Sequence, residues 1–317
     1  MPDGVRRCGA KLTCLLMPLI FTAACEAPLD LRGVKESYKE PVLRSDIFQD
    51  VAVTPEHAIF VGAQGVIVEF ELSSEAFTRI EVGEIHARSD LIAVVACGNE
   101  VFALGLDGSL WARRSDGWTG RDIGTAETVQ SLACGEAGKL WVSASFGTLL
   151  SSSDMGKTWD EYSMEDDLFL TQIEFPTERV GFAVGEFGAV LKTETGGDEW
   201  VQIASLSEEF YPLAAHFYSA EVGWVAGLDG VIFATHDGGS SWQREATETS
   251  SPIYRISEIE GHFYAAGNSG IVLKRRGTRW QAVDTGLQTS GFIRALAGND
   301  HGVFLGGQAL AARIDAP

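Results

Sequence analysis

Positive charge is scarce in this chain: 24 Lys and Arg stand against 44 Asp and Glu, which gives the 317 residues a formal net charge of −20. A strongly acidic protein repels nucleic acid phosphates and anionic lipid headgroups. The composition therefore argues against nucleic acid as a partner, and we expect partners that are neutral or locally basic. With 45% apolar residues and 36 glycines, the chain is nevertheless typical of a globular protein.

Cysteine and metal-binding patterns are also sparse. The five cysteines contain no Cys-x-x-Cys pair, and the histidines are scattered without ligand spacing, so we expect no metal site and no other cofactor. Cys97 and Cys134 are predicted to be free buried thiols, with a disulfide between them as the alternative in an oxidising compartment. The six histidines are His57, His86, His216, His236, His262 and His301.

Long apolar runs are missing too. The apolar stretch LTCLLMPLIFTAA follows Arg6, Arg7 and Lys11 and is too short for a permanent membrane-spanning helix, so residues 1–24 are predicted to be an export signal.

The end of this signal resembles a bacterial lipoprotein cleavage box. The small residues Thr-Ala-Ala lead into Cys25, which we predict to be lipidated, with residues 25–32 as a tether. Glu26 at the next position favours the outer membrane over the inner one, on its periplasmic side. The alternative is ordinary signal peptidase cleavage at the same place, which leaves an unanchored periplasmic protein.

One pattern repeats along the rest of the chain. It is clearest in GFAVGEFGAVLKTETGGDEWVQI from Gly181, GWVAGLDGVIFATHDGGSSWQRE from Gly223 and HFYAAGNSGIVLKRRGTRWQAV from His262. Such a period is the mark of a repeat architecture. A small residue before a turn aligns seven units with steps of 43, 39, 41, 42, 40 and 39 residues, at Gly62, Gly105, Ala144, Gly185, Gly227, Gly267 and Gly306.

Each unit has the pattern of four short strands. Two alternating stretches flank a Gly-x-x-Gly turn, a further apolar strand such as LIAVVAC precedes them, and turn residues lead on to a tryptophan. The sequence therefore predicts an all-β fold, a seven-bladed β-propeller of four-stranded antiparallel blades that occupies residues 33–317. Because the seventh unit stops after its third strand, we predict that residues 33–44 supply the missing outer strand.

A polar pattern recurs at the turn after the third strand of several units. Its hydroxyl and carboxylate oxygens are expected to accept hydrogen bonds from the turn, its glycine to take the left-handed conformation, and its tryptophan to pack toward the next blade. This is the Asp-box, or BNR, hairpin, and its repetition predicts a structural role. Its clearest copies are Ser152, Asp154, Gly156, Thr158 and Trp159, and Thr235, Asp237, Gly239 and Trp242.

With these hairpins joined to VG-x-x-G-x-V/I strands behind a lipoprotein-like signal, the chain resembles the photosystem II stability/assembly factor family of BNR-type propellers. The resemblance covers nearly all of the chain after residue 24. It implies a monomeric protein that acts without catalysis, as a scaffold or assembly factor for a membrane-protein or envelope complex.

The alternative function is that of a carbohydrate-binding or sialidase-like Asp-box propeller. A glycosidase needs two carboxylates at a defined separation, and a sialidase also needs an arginine trio and a Tyr/Glu pair. No acidic residue stands in a distinctive motif of this kind. A ring of exposed tryptophans around paired carboxylates in a deep cleft would favour this alternative.

A partner-binding surface is predicted near the propeller axis. PIYRIS and GFIRAL place Arg255 and Arg294 at matching positions of the last two units, beside aromatic residues at the starts of the inner strands. Arginine and tyrosine dominate protein-binding hot spots. The alternative is that the arginines neutralise nearby carboxylates and the aromatics fill the core. The predicted residues are Arg255, Arg294, Tyr254, Tyr211 and Phe292, flanked by an acidic sector of Asp160, Glu161, Glu165, Asp166, Asp167, Glu186, Glu208, Glu209, Asp229, Glu245 and Glu248.

Overall fold

Strands form where apolar and small residues alternate along the chain. The structure is a computed structural model that describes residues 39–80, 89–135, 138–164, 166–203, 205–207 and 209–317. The second strands of the repeat, such as Gly181–Gly185 and Gly223–Gly227, are buried at every position because neighbouring sheets cover both of their faces. The all-β propeller class predicted from the sequence is confirmed.

The strands follow one another as antiparallel meanders, the blades of the propeller. Blade 1 contains β1 (Phe48–Val53), β2 (His57–Gly62), β3 (Ile67–Glu71) and β4 (Ala76–Ile80). Blade 2 contains β5 (Leu91–Cys97), β6 (Glu100–Gly105), β7 (Ser109–Arg114) and β8 (Gly117–Asp122). Blade 3 contains β9 (Val129–Cys134), β10 (Leu140–Ala144), β11 (Thr148–Ser152) and β12 (Asp160–Ser163). Blade 4 contains β13 (Leu170–Glu174), β14 (Gly181–Gly185), β15 (Ala189–Thr193) and β16 (Val201–Gln202).

The second half of the chain continues the series. Blade 5 contains β17 (Pro212–Phe217), β18 (Gly223–Gly227), β19 (Ile232–Thr235) and β20 (Gln243–Thr247). Blade 6 contains β21 (Ile253–Ile259), β22 (His262–Gly267), β23 (Val272–Arg276) and β24 (Arg279–Ala282). Blade 7 contains β25 (Ile293–Asn299), β26 (Gly302–Gly307) and β27 (Leu310–Ile314). Short 3-10 helices span Ala63–Gly65, Glu186–Gly188, Leu228–Gly230 and Asn268–Gly270.

The blades form a closed ring. Each first strand contacts the first strand of the next blade, and β25 of the last blade contacts β1 of the first. Within the described residues, the ring therefore contains seven blades around one axis. Blades 5 and 6 also join at their outer edges, where β20 and β24 pair in parallel and make one eight-stranded sheet.

The described part of the N-terminal segment reaches the seventh blade and adds no strand to it. Residues 39–44 contain no strand, and residues 33–38 lie outside the described part of the chain. Pro41 has no N–H to donate to a sheet, and the Asp46 carboxylate accepts the N–H of Leu43 (2.7 Å), which turns the chain. Within the described residues, a β-bridge between Ile47 and Gln308 and a hydrogen bond from the Ala309 N–H to the Asp46 carbonyl (2.8 Å) join the segment to blade 7.

The hydrophobic core lies between the blades. Phe182 of blade 4 stacks on Phe217 of blade 5 with ring centroids 3.8 Å apart. Trp159 and Trp242 belong to clusters that combine their own blade with the preceding one, so the predicted packing toward the next blade is wrong in direction. The reason is that each turn folds back over the preceding blade: a Cβ on Gly156 would lie 2.2 Å from Leu110 of blade 2.

Cys97 and Cys134 form a disulfide, so the prediction of free thiols is wrong. The two residues end the first strands of blades 2 and 3, which lie side by side in the ring and bring the Cα atoms to 5.5 Å. The covalent bond therefore joins two neighbouring blades.

Several predicted features lie outside the described residues: the signal peptide (1–24), Cys25 with the tether (25–32), and His86. No helix in the described part of the chain is long and apolar enough to cross a membrane.

Candidate partner-binding face

One face of the propeller gathers two sets of loops in every blade. The turn between the second and third strands lies beside the segment that leads into the first strand, and backbone hydrogen bonds join the two. Leu106 donates its N–H to the Asp90 carbonyl (2.8 Å), and Glu186 donates to the Phe169 carbonyl (3.0 Å). We call the face made by these turns and leading segments the front face.

The repeated glycine of the sequence is explained by this approach of two backbones. A Cβ on Gly267 would lie 2.2 Å from the Pro252 carbonyl oxygen, and one on Gly307 would lie 1.9 Å from that of Phe292. Gly307 pairs with Ile293 as Gly267 pairs with Ile253, so Gly307, not Gly306, is the equivalent glycine of blade 7.

This shift of one residue changes the predicted match between the two arginines. Counted from Gly267 and Gly307, Arg294 is equivalent to Tyr254, and Arg255 lies one position further along its strand. The prediction that Arg255 and Arg294 occupy matching positions is therefore wrong, and their surroundings differ.

Each first strand carries a β-bulge near its start, which leaves one residue without a partner on the second strand. A bulge redirects the side chain of its extra residue. All seven extra residues line a cavity of about 660 Å³ on the axis of the propeller. We call them the bulge ring: Gln49, Ile92, Gln130, Thr171, Leu213, Tyr254 and Arg294.

Three consecutive members of the bulge ring interact with one another. The Arg294 guanidinium lies over the Tyr254 ring, 4.8 Å from its centroid, and donates to the Gln49 side-chain carbonyl (3.0 Å). Phe292 is the second aromatic neighbour, with its centroid 5.4 Å from the guanidinium and 6.3 Å from that of Tyr254. Arg294 is exposed and has no carboxylate partner among the described residues, so a cation backed by two rings faces the axial cavity.

Arg255 has a different environment. It forms an ion pair with Asp50 of blade 1 (2.7 Å), whose carboxylate is buried and also accepts the N–H groups of Val51 and Val94. Burial raises the pKa of the Asp50 carboxyl above its ordinary value, against the opposing effect of the Arg255 guanidinium. The neutralising interpretation therefore describes Arg255, while Arg294 is the arginine that remains accessible.

Arg294, Gln49, Tyr254 and Phe292 are called the Arg294 group below. Tyr211 lies away from this group, on blade 5. Its hydroxyl donates to the Glu186 carboxylate (3.2 Å), and burial, followed by the charge of that carboxylate, raises the pKa of Tyr211. Of the five predicted binding residues, the structure thus brings Arg294, Tyr254 and Phe292 together. It places Tyr211 elsewhere around the cavity and commits Arg255 to an ion pair.

Sequence reasoning missed the polar residues that join the first strands across the cavity wall. Gln172 accepts the N–H of Ala215 (3.1 Å) and donates to its carbonyl (3.0 Å), and Glu174 accepts the N–H of Phe217 (2.8 Å). The Asp50 carboxylate joins β1 to β5 in the same way, by accepting the N–H of Val94. A polar residue within an otherwise apolar inner strand was the available signal for these positions.

The predicted acidic sector is only partly a loop surface. Asp160 and Glu161 lie within β12, and Glu245 is buried in β20, where it pairs with Arg275 (2.6 Å) and accepts the Trp280 indole N–H. Asp166, Asp167, Glu209, Asp229 and Glu248 are exposed at the front face, with Glu186 half-buried among them. Glu165 and Glu208 lie outside the described residues.

The two polar turns have dense internal hydrogen bonds. The Asp154 carboxylate accepts from the N–H (2.9 Å) and hydroxyl (2.7 Å) of Thr158, and Ser152 accepts the N–H of Gly156 (2.8 Å). These bonds from Thr158 hold the pKa of Asp154 well below its ordinary value. Thr235 and Asp237 bind Gly239 and Ser241 in the same way, and the hydroxyl of Ser241, then its N–H, lower the pKa of Asp237.

In the part of the chain that the structure describes, the tryptophans lie between blades and the side chains able to bind a metal lie apart from one another. All eight tryptophans lie in the described part of the chain, and none of them is among its exposed large hydrophobic residues. Among the described residues, no three His, Cys, Asp or Glu side chains are grouped closely enough to hold a metal ion.

Comparison with solved structures shows the propeller fold again. YCF48 from Cyanidioschyzon merolae superposes with a TM-score of 0.60 at 16% identity, covering 72% of this chain and 81% of that one. A structure of YCF48 bound to a D1 peptide gives a TM-score of 0.53 at 13% identity, covering 73% and 92%. The WD40 repeats of RRP9 give 0.65 at 12% identity, covering 85% and 88%. No protein-family model and no curated protein sequence matches the chain.

Proposed function

We propose that this protein is a non-catalytic scaffold or assembly factor that binds a membrane-protein partner of the cell envelope through its front face. The observation that carries the proposal is the Arg294 group: an exposed guanidinium, held by Gln49 and two aromatic rings, at the mouth of the axial cavity. Arginine and aromatic side chains that are already held in place lose little entropy on binding and are typical protein-binding anchors.

A similar fold with a known ligand supports the kind of partner. YCF48 is a propeller that has been solved with a peptide of D1 bound to it. At the low identity of that comparison only the fold is shared, so protein binding here rests on the Arg294 group of this chain, and the membrane-protein partner is proposed by analogy with YCF48.

The disulfide supports an oxidising compartment, since such bonds persist in the periplasm and outside the cell. With the predicted export signal and the small residues before Cys25, this favours a periplasmic protein anchored by lipid to the outer membrane, and we propose that it is a monomer. A Cys25→Ala variant should then appear in the soluble fraction after envelope fractionation. If the variant stays with the membranes as the wild type does, the lipid anchor is refuted.

The observation that would favour the carbohydrate alternative is a ring of exposed tryptophans around a deep cleft. In the part of the chain that the structure describes, every tryptophan is buried or half-buried between blades.

The proposal is tested by affinity capture from crosslinked, detergent-solubilised envelopes, with wild type, Arg294→Gln and Arg276→Gln compared by mass spectrometry. Arg276 is an exposed arginine at the turn between β23 and β24, on the opposite side from the front face, and serves as the matched control. A membrane protein retained by wild type and Arg276→Gln but lost with Arg294→Gln is the expected result. Equal capture by all three, or no reproducible partner, would overturn the proposal.

A further inference from the structure

Four large apolar side chains are exposed on the same turn of four successive blades, at the first or the second position of that turn. They lie on the turn between the second and third strands of blades 2 to 5, on the front face. We call them the apolar arc: Leu106, Phe146, Phe187 and Leu228, which are 46%, 51%, 60% and 45% exposed. Such side chains scattered singly are ordinary on a protein surface, but a row of four on one face marks an interaction site.

Two members of the arc also adopt a backbone conformation that is unfavourable for their residue type. Phe146 and Phe187 have φ angles of 54° and 58°, in the left-handed region that bulky residues avoid. At the equivalent turns, blades 1, 5 and 6 use Gln64, Asp229 and Ser269, which are polar or small. Neither burial nor backbone geometry accounts for phenylalanine here, so we look to a contact outside the chain.

The charge around the arc selects the kind of contact. The segments that lead into blades 3 to 6, residues 123–128, 163–170, 203–212 and 247–253, contain acidic residues and no Lys, Arg or His. Among the described ones, Asp166, Asp167 and Glu209 are exposed beside the arc. An acidic surface repels a second copy of itself and an anionic lipid surface, and it attracts a basic segment.

We propose that the apolar arc docks a partner segment in which apolar and basic residues are interspersed. The apolar residues would cover the four side chains of the arc, and the basic ones would lie between the acidic loops. Leu106 also lines the axial cavity, so the arc continues into the proposed binding site at Arg294. The inference rests on the proposed function, because one partner would occupy both the arc and the binding site at Arg294. The basic segment of that partner would lie on the arc, and an anionic group of the partner would bind Arg294.

The test uses synthetic peptides, so that it does not depend on capture of the partner. The probe is an amidated peptide of leucines and lysines separated by serines, labelled with an uncharged boron-dipyrromethene dye, and it carries no carboxylate for Arg294. Two analogues replace lysine by glutamate or leucine by serine. Fluorescence polarisation should show binding of the probe that weakens with salt, and at least tenfold weaker binding of either analogue.

The decisive variant is Phe146→Asn with Phe187→Asn, because asparagine tolerates the left-handed backbone. It should bind the probe at least tenfold more weakly while its thermal midpoint is equal or higher. The matched control is Val201→Asn with Tyr218→Asn, which removes two equally exposed apolar residues away from the front face and should bind within twofold of wild type.

The inference would be overturned if the probe does not bind, if Phe146→Asn with Phe187→Asn binds the probe within twofold of wild type, or if the glutamate analogue binds as tightly as the probe. Arc-dependent binding to phosphatidylglycerol vesicles would overturn it in favour of a lipid. Arg294→Gln should leave probe binding unchanged. If the capture experiment fails while the probe still binds in an arc-dependent way, the proposed function is therefore rejected and the docking arc is retained.

Discussion

Arg255 of blade 6 reaches past blade 7 to form an ion pair with Asp50 of blade 1, and the two charges meet 2.7 Å apart in the wall of the axial cavity. Asp50 is 3% exposed and Arg255 29% exposed, so the pair is partly desolvated. The ion pair therefore links blade 6 to blade 1, across the place where the last blade meets the first and the ring closes.

We expect removal of Arg255 to destabilise the protein. Arg255→Gln leaves a buried carboxylate without its cation, which costs about 3 kcal/mol for partly buried pairs. Chemical denaturation of Asp50→Asn, Arg255→Gln and the double variant should show that the double variant loses less than the sum of the single ones. Arg294→Gln is the control, and its loss should stay below about 1 kcal/mol. Strict additivity of Asp50→Asn and Arg255→Gln would show that the pair contributes nothing.

The disulfide between Cys97 and Cys134 should contribute to stability by restricting the unfolded chain. Its sequence separation of 37 residues corresponds to about 3 to 4 kcal/mol of loop-closure entropy. Cys97→Ser with Cys134→Ser should therefore unfold at a lower denaturant concentration. Reducing agent should shift wild type to the same midpoint and leave the double variant unaffected. If the unreduced, unfolded wild type titrates with two more free thiols than the double variant, the bond itself is contradicted.

The repeat architecture could be predicted from the sequence because its cause is local. Glycines such as Gly267 recur since only they fit against the backbone of the first strand, and strand alternation is written directly in the residues. At blade 7 the adjacent Gly306 and Gly307 both fit the repeat, and only the pairing of Gly307 with Ile293 shows which of them is equivalent to Gly267.

The site was harder to predict because it depends on contacts between blades. A bulge shifts one residue of a strand without changing its composition, so the equivalence of Tyr254 and Arg294 is visible only in the pairing register. The ion pair of Asp50 with Arg255 and the Cys97–Cys134 bond join residues of different blades. Composition and period carry no signal for either.

The two polar turns should make the protein sensitive to acid. Because hydrogen bonds from Thr158 and Ser241 lower the pKa of Asp154 and Asp237 in the folded state, both carboxylates stabilise the fold above the unfolded pKa of about 3.9. This contribution is lost as the pH falls through the folded-state pKa. We expect the difference in unfolding free energy between wild type and Asp154→Asn/Asp237→Asn to be present near neutral pH and to shrink toward about pH 2.

Denaturant titrations at several pH values measure this difference. Asp166→Asn with Asp167→Asn removes the same two charges from an exposed loop and serves as the control. An equal trend in the control would assign the effect to net charge instead of the turns.

Gly267 should be intolerant of even a methyl group, because the backbone of the first strand cannot move aside. In Gly267→Ala the new Cβ would lie 2.2 Å from the Pro252 carbonyl oxygen, whereas in Gly135→Ala it would meet its nearest neighbour at an ordinary 3.5 Å. We expect Gly267→Ala to lose more than about 2 kcal/mol in chemical denaturation, and Gly135→Ala to stay within about 1 kcal/mol of wild type. The turn Asn268–Gly270 follows directly, so relief of this overlap would displace a turn of the front face. Equal stability of the two variants would mean that the glycine of the repeat is not held there by the close approach of the strands.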